Sequence, residues 1–327
     1  MSRLECAAQP NRNTRFSAVH RTGDHGGQLS NVPGTNDSQR WLPRTHRAND
    51  LVTVQRSMAS FGRWVRRTGA ERRIARFTPP VLTNDPETMT VDYPPTIYRH
   101  RSADEVAHTV ASLIVDQIAA EPTSNLGLAT GGTPVPIYRQ MVQQIRQQKI
   151  DVTRLRTFNL DEYVGLSADH PCAYRPFMRQ HLFDPLGIDT ERTHFPPVAE
   201  RDPTDYDRTI ESAGGIGLQL LGIGINGHIA FNEPGCDPAG QTARVALTQS
   251  TRDANARFFD SADDVPTHAV TMGIATILRA DRIVVAAVGA NKQRAFEMAT
   301  TGPIGRDCPA SLLRRHASVQ WHVYFGD

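Results

Sequence analysis

From residue 102 onward the apolar residues fall into short, regular groups. Val106, Val110, Leu113, Ile114 and Ile118 recur at helical spacing. They follow Ser102-Ala103-Asp104-Glu105, an S-x-x-E sequence in which serine and glutamate can satisfy the N–H groups that a helix start leaves free. A helix is expected there. Residues 125–129 then read as a short buried strand, and a second helix opens at Thr133-Pro134. Proline takes its favoured first helical position, and Tyr138, Met141, Val142 and Ile145 lie along one face. The alternation continues with a strand at 155–160, a helix around 174–183, strands at 216–222 and 283–289, a helix at 292–299 and a final strand at 319–325. This order predicts a Rossmann-like α/β fold: an open, mostly parallel sheet with helices on both faces, forming a single domain over residues 93–327. Residues 1–92 differ. Turn-formers cluster through His25-Gly26-Gly27 and Asn31-Val32-Pro33-Gly34 with no sustained apolar period, which predicts an irregular, disordered extension with room for a short helix only near residues 51–76.

Such sheets bind ligands outside the carboxyl ends of their strands. Residues 130–133, 161–162, 224–233 and 289–292 all fall at predicted strand ends, so the fold would gather them into one crevice. Thr130-Gly131-Gly132-Thr133-Pro134 sets two glycines and two hydroxyls before a helix N-terminus, where free N–H groups and the helix dipole favour an anion such as phosphate. A tight turn capped by its threonine is the alternative. Lys292, one of only two lysines with Lys149, can add a point charge. In Asn159-Leu160-Asp161-Glu162-Tyr163 two carboxylates follow a buried strand, where burial raises basicity and suits a proton carrier; equally, one of them could cap the next helix. The stretch from Leu221 to Pro234 is glycine-rich and holds His228, which can carry a proton near neutral pH when Glu233 or Asn226 orients its ring.

Composition narrows the classes. The 327 residues are 39% hydrophobic, enough for a buried core, yet contain no run of about 18 apolar residues and no secretory-type apolar core at the N-terminus. No membrane partner is expected, and a cytoplasmic location is. Cys6, Cys172, Cys236 and Cys308 form no C-x-x-C pair, which argues against a zinc knuckle or redox motif. Charge divides the chain: residues 1–92 carry 14 arginines, no lysine and 8 acidic residues, a net +6, whereas the remainder carries 22 basic and 26 acidic residues, a net −4. The arginines are scattered among Pro, Gly, Asn and Ser with little aromatic interleaving, which argues against nucleic-acid binding. The break in composition also raises Met89 as an alternative start.

Taken in order, Leu126-Gly127-Leu128-Ala129-Thr130-Gly131-Gly132-Thr133-Pro134, Thr157-Phe158-Asn159-Leu160-Asp161-Glu162-Tyr163-Val164-Gly165-Leu166 and Gly227-His228-Ile229-Ala230-Phe231-Asn232-Glu233-Pro234 resemble the motifs of the glucosamine-6-phosphate deaminase (isomerase) family. Thr251-Arg252, Asn255-Ala256-Arg257-Phe258-Phe259, Ala269-Val270-Thr271-Met272-Gly273 and Lys292 extend the likeness over roughly residues 96–318. The resemblance implies conversion of glucosamine 6-phosphate and water to fructose 6-phosphate and ammonia, a hydrolase-type deamination with isomerisation, without organic cofactor or metal. It implies that Asp161 moves a proton between C2 and C1, that His228 with Glu233 assists ring opening beside Asn226, and that Thr130, Gly131, Gly132, Thr133, Arg257 and Lys292 hold the phosphate.

Two departures stand out. Many members carry Asp where this chain has Asn226, so Glu233 is expected to be the charged partner of His228, with the amide oxygen still able to accept from that histidine. Activated members carry basic residues where this chain has Ala243 and Val245, which argues against an effector site for an acetylated amino-sugar phosphate. Galactosamine 6-phosphate deamination, a 6-phosphogluconolactonase-like hydrolysis and a non-catalytic sugar-phosphate sensor remain as alternatives, and a homo-oligomer is compatible with each.

Overall fold

The computed structural model describes residues 81–82, 91–199 and 201–326. Residues 1–80 and 83–90, with the expected extension and the start at Met89, lie outside them. In chain order the strands are β1 (Val81–Leu82), β2 (Val91–Asp92), β3 (Thr96–Arg99), β4 (Asn125–Leu128), β5 (Arg156–Asn159), β6 (Asp161–Tyr163), β7 (Thr193–His194), β8 (Leu218–Leu221), β9 (Ala243–Ala246), β10 (His268–Thr271), β11 (Ile283–Val288) and β12 (Val319–Tyr324). The helices are α1 (Ala103–Ala120), α2 (Pro134–Gln148), α3 (Tyr174–Met178), α4 (Asp184–Leu186), α5 (Asp205–Ser212), α6 (Gln249–Asn255), α7 (Ile274–Ile277) and α8 (Gln293–Thr301); a π turn, Arg179–Phe183, joins α3 to α4.

Helix α1 begins where its capping signal placed it, with the Ser102 hydroxyl accepting the Glu105 N–H at 3.1 Å. The reciprocal half differs, because the Glu105 carboxylate accepts the N–H of Arg101 at 2.8 Å rather than that of Ser102. Val106, Val110, Ile114 and Ile118 form its buried stripe. A seven-stranded, wholly parallel sheet in the order β3-β12-β11-β8-β4-β5-β7 receives it. Side chains alternate across this sheet. Along β11, Ile283, Val285 and Ala287 face a core with α5, α7 and α8, whereas Val284 and Ala286 face a second core with α1, α2 and the π turn. Burying each such isoleucine or leucine is worth roughly 1.5–3 kcal/mol, and with both faces covered the strands read as continuous apolar runs. The expected open parallel sheet with helices on both faces is therefore the observed architecture. The chain leaves β4 in one direction, to β5 and β7, and continues from β8 in the other, to β11 and β12. The reversal between β4 and β8 sets the loops after these strands side by side.

One element departs from expectation in a way that matters. The strand expected at 155–160 ends at Asn159, and Asp161–Tyr163 becomes an edge of a separate antiparallel sheet, β6-β10-β9. Leu160 is the pivot: its N–H donates to Leu128 O at 3.1 Å in the parallel sheet, and its carbonyl accepts the Met272 N–H at 2.7 Å beside the antiparallel one. Neither Asp161 nor Glu162 starts a helix in sequence. Strands β3, β7, β9 and β10 are two to four residues long, too short for period-2 patterning to announce them.

Asp92 also belongs to the folded body. Its carboxylate takes two bonds from the Arg314 guanidinium, one from Nε at 3.0 Å, while Arg314 donates to Gly302 O at 2.7 Å and accepts the Tyr93 N–H at 2.8 Å. Both side chains are largely buried. Asp92→Ala leaves the guanidinium half-satisfied and is expected to lower unfolding stability by about 2 kcal/mol in a urea titration; an unchanged midpoint would show that this pair does not hold the entry strand.

Candidate active site

The glycine-rich loop after β8 is shaped around one imidazole. Gly224 N–H donates to His228 O at 2.8 Å, folding the loop back on itself. A Cβ on Gly224 would lie 2.3 Å from the His228 ring, so the imidazole rests directly against this backbone. Gly227 has φ of 85°, and a Cβ there would also meet Cys308 Sγ at 2.6 Å. Ala230 adopts φ of 52°, a conformation a side chain adopts only at a cost. Asn232, a further polar residue of this loop, staples it, donating to Ile229 O at 3.0 Å and Met272 O at 2.8 Å.

Glu233 is the hub of this loop. Its Oε2 lies 3.5 Å from His228 Nδ1 and accepts from Asn226 Nδ2 at 2.7 Å; its Oε1 accepts from the hydroxyls of Thr251 and, at 3.4 Å, Thr248. Burial opposes ionisation of Glu233. The hydrogen bond and charge of His228, with the donors Thr251 and Asn226, outweigh it and hold the carboxyl down at about 2. Asn226 therefore acts differently from expectation: its oxygen accepts the backbone N–H of His228 at 3.2 Å, not the ring, and its amino group serves Glu233. An aspartate at 226 would place a like charge against Glu233 where the amide is attractive.

Asp161 opens β6 and is 6% exposed. Among the described residues its carboxylate receives no hydrogen bond and joins no ion pair, and burial, reinforced by the charge of Glu162, pushes it up to about 8. Its neighbour points the other way along the strand. Glu162 Oε1 accepts the N–H groups of Tyr163 and Tyr174 at 2.8 and 3.0 Å, and Oε2 accepts that of Arg175 at 3.0 Å, so it caps α3 across the fold. The capping alternative was correct for Glu162 and not for Asp161. Thr271 ties the two catalytic candidates together: it pairs with Asp161 in the β6–β10 ladder, and its Oγ1 accepts the Phe231 N–H at 3.1 Å from the histidine loop.

The anion elements are equally distinct. Thr133 sits in helical conformation at the start of α2 and makes no side-chain cap, so the capping alternative for this motif does not hold. Gly131 has φ of 101°, and a Cβ on Gly131 or Gly132 would enter open space. Lys292 closes the turn after β11; burial and then the charge of Arg257 lower its pKa. Arg257 lies in the turn after α6 with its guanidinium 4.7 Å from the Phe258 ring centroid. No carboxylate within 4 Å pairs with either cation among the described residues. Thr251, Thr248 and Thr271 were not singled out as site residues from sequence. The Thr248 hydroxyl caps α6 by accepting the Thr251 N–H at 3.2 Å, and that T-x-x-T spacing was the available signal. No group of His, Cys, Asp and Glu suited to a metal ion is found among the described residues.

A buried carboxyl held basic, an imidazole–carboxylate pair and two cations without a paired carboxylate among the described residues are what an acid–base site for an anionic substrate would need. The chain belongs to the family of glucosamine-6-phosphate isomerases and 6-phosphogluconolactonases, whose model matches residues 99–321. It is 50% identical over 214 residues to a glucosamine-6-phosphate deaminase of Rhodopirellula baltica, covering 64% of this chain and 85% of the relative. It is 46% identical over 220 residues to that of Lysinibacillus sphaericus, covering 66% and 93%. Among solved structures, a monomeric glucosamine-6-phosphate deaminase superposes with a TM-score of 0.68 at 38% identity, over 70% of this chain and 96% of that one. The 6-phosphogluconolactonase of Trypanosoma cruzi, at 17% identity, a TM-score of 0.56 and coverage of 71% and 95%, shares the fold.

The opposite shifts of two carboxyls are directly measurable. In a carboxyl-carbon NMR titration Asp161 should titrate near 8, and Glu162→Gln should move it lower by removing the adjacent negative charge; an ordinary Asp161 midpoint near 4 would contradict this geometry.

Proposed function

We propose that this protein converts glucosamine 6-phosphate and water to fructose 6-phosphate and ammonia. The observation that carries the proposal is the buried Asp161, basic enough to exchange a proton near neutral pH and, among the described residues, without a competing partner. The relatives named glucosamine-6-phosphate deaminase support the same substrate.

In this reading the phosphate lies against Arg257, Lys292 and the N–H groups and hydroxyls of residues 130–133, converting binding energy into orientation. His228, with its charge supported by Glu233, carries the proton from the anomeric hydroxyl to the ring oxygen and opens the sugar. Asp161 then takes the C2 proton, leaving an enolamine across C1 and C2, and returns the proton to C1. The resulting C2 imine adds water and loses ammonia, giving the ketose. Water is consumed overall, yet the carbon chemistry is a C2-to-C1 proton shift, so isomerase describes it better than hydrolase.

The family also holds lactonases, but those structures are under 20% identical and speak for the fold alone. Ala243 and Val245 lie on β9, an edge strand where Arg244 is the one basic residue, which supports activity without an amino-sugar phosphate effector.

Ammonia release from purified protein, with glucosamine and galactosamine 6-phosphates compared, tests the reading and separates the epimers; intact ligand binding without release would turn it to a sensor. Asp161→Asn should cut kcat by about 10²-fold or more with substrate binding retained, because an amide cannot accept the C2 proton, and near-normal turnover would remove Asp161 from the mechanism. Lys292→Ala should instead weaken substrate and inorganic phosphate binding together by about 1.5–3 kcal/mol; unchanged binding would remove the lysine from the anion site.

A further inference from the structure

Among the described residues Glu233 is the one carboxylate within 4 Å of His228, and a carboxylate does not orient itself. The last torsion of a glutamate side chain, where a tetrahedral carbon meets the planar carboxyl, is broad, so each oxygen keeps its place only if a donor holds it. Asn226, from the same loop, donates to Oε2 at 2.7 Å, the oxygen that lies 3.5 Å from His228 Nδ1. The other oxygen is held from outside the loop. The Thr251 hydroxyl of α6 donates to Oε1. Thr251 is buried, its hydroxyl oxygen accepts from Thr248 at 3.1 Å, and its N–H donates to Thr248 Oγ1 at 3.2 Å, so the direction of its proton is set from the far side.

Helix α6 does not depend on this contact for its own place. Arg252 donates to Val265 O at 3.4 Å, and Cys172 Sγ donates to Phe258 O at 3.0 Å just beyond the helix. The Phe259 ring meets that of Tyr163 edge-on at 5.7 Å. Thr251 therefore extends from a segment fixed elsewhere, which is what an orienting donor needs.

We propose that Thr251 is a positioning residue for ring opening: with Asn226 it holds the Glu233 carboxylate by both oxygens and so keeps Oε2 beside the imidazole of His228. A donor on Oε2 alone leaves the carboxyl able to turn about its last bond. Because residue 226 is an amide, no second carboxylate there can take over when Glu233 turns away. The hydroxyl brings no charge, so it orients the carboxylate without competing with the imidazole for it.

The role rests on the reading in which His228 and Glu233 open the sugar, and the experiment tells the two apart. Thr251→Val keeps the shape and removes the donor. It should lower kcat for glucosamine 6-phosphate about ten-fold, the size of one hydrogen bond to a charged group, while KM and the inhibition constant of inorganic phosphate stay within about two-fold. Thr251→Ser keeps the hydroxyl and should restore kcat; should the valine variant not fold, Thr251→Ala read against Thr251→Ser measures the same loss. In a carboxyl-carbon NMR titration Thr251→Val should raise the Glu233 midpoint from about 2, because a donor to the charged form is gone. A lowered melting temperature with unchanged kcat, or a serine variant as impaired as the valine one, would overturn the proposal. Glu233→Gln is the control. If it lowers kcat while Thr251→Val does not, the positioning role alone fails; if it leaves kcat unchanged, the ring-opening reading fails and takes the positioning role with it.

Discussion

The backbone of Leu160 is shared between two sheets, its N–H given to β4 and its carbonyl to the residue after β10. A residue bonded in both directions cannot slip, and the next residue is Asp161. The carboxyl is thereby placed at the seam between a parallel sheet packed on both faces and a small antiparallel one. Burial on this scale strongly disfavours a charge, and among the described residues no donor offsets it. The candidate site thus depends on a backbone constraint at the residue immediately before Asp161. Were β5 to continue straight, as its apolar run suggests, Asp161 would extend the parallel sheet and lose its pairing with Thr271, and with it the link to the histidine loop.

Three acids show that environment decides role. Asp161 receives no donor among the described residues and is held basic. Glu162, also buried, is supplied with three backbone N–H groups and spends its charge on the start of α3. Glu233 is served by Asn226, Thr251 and the imidazole and is held acidic. The substitution at 226 belongs to this pattern: an amide donates to Glu233 and accepts from the loop backbone at once, two bonds that a carboxylate could not make together. The single negative charge beside His228 therefore resides on Glu233.

Much of this was legible in the chain. Helices with a repeating stripe, such as α1, and strands buried on both faces, such as β4, β8 and β11, announce themselves because burial dictates their spacing. The loop segments carrying His228, Asp161, Lys292 and the paired glycines could be placed because they follow such strands. What escaped is non-local. The turn of the chain at Leu160 is decided by β10, more than a hundred residues later, and no local pattern encodes that. Glu162 caps α3 from a strand, at a separation where the usual capping spacing does not apply, and Thr251 reaches Glu233 from a helix whose own cap hides its function. Asn232 is the reverse case, a polar residue in a reactive loop whose amide is consumed by two carbonyls.

The close seating of His228 on Gly224 has a consequence for the direction of proton traffic. One face of the imidazole is covered by backbone, so the ring cannot turn over without moving the loop, and Nδ1 is already committed to the side of Glu233. At 3.5 Å that carboxylate can answer a positive charge on the ring from the Nδ1 side. In the proposed reaction the histidine would then serve as a single-port device: protons enter and leave at one face, while the charge they create is answered at the other.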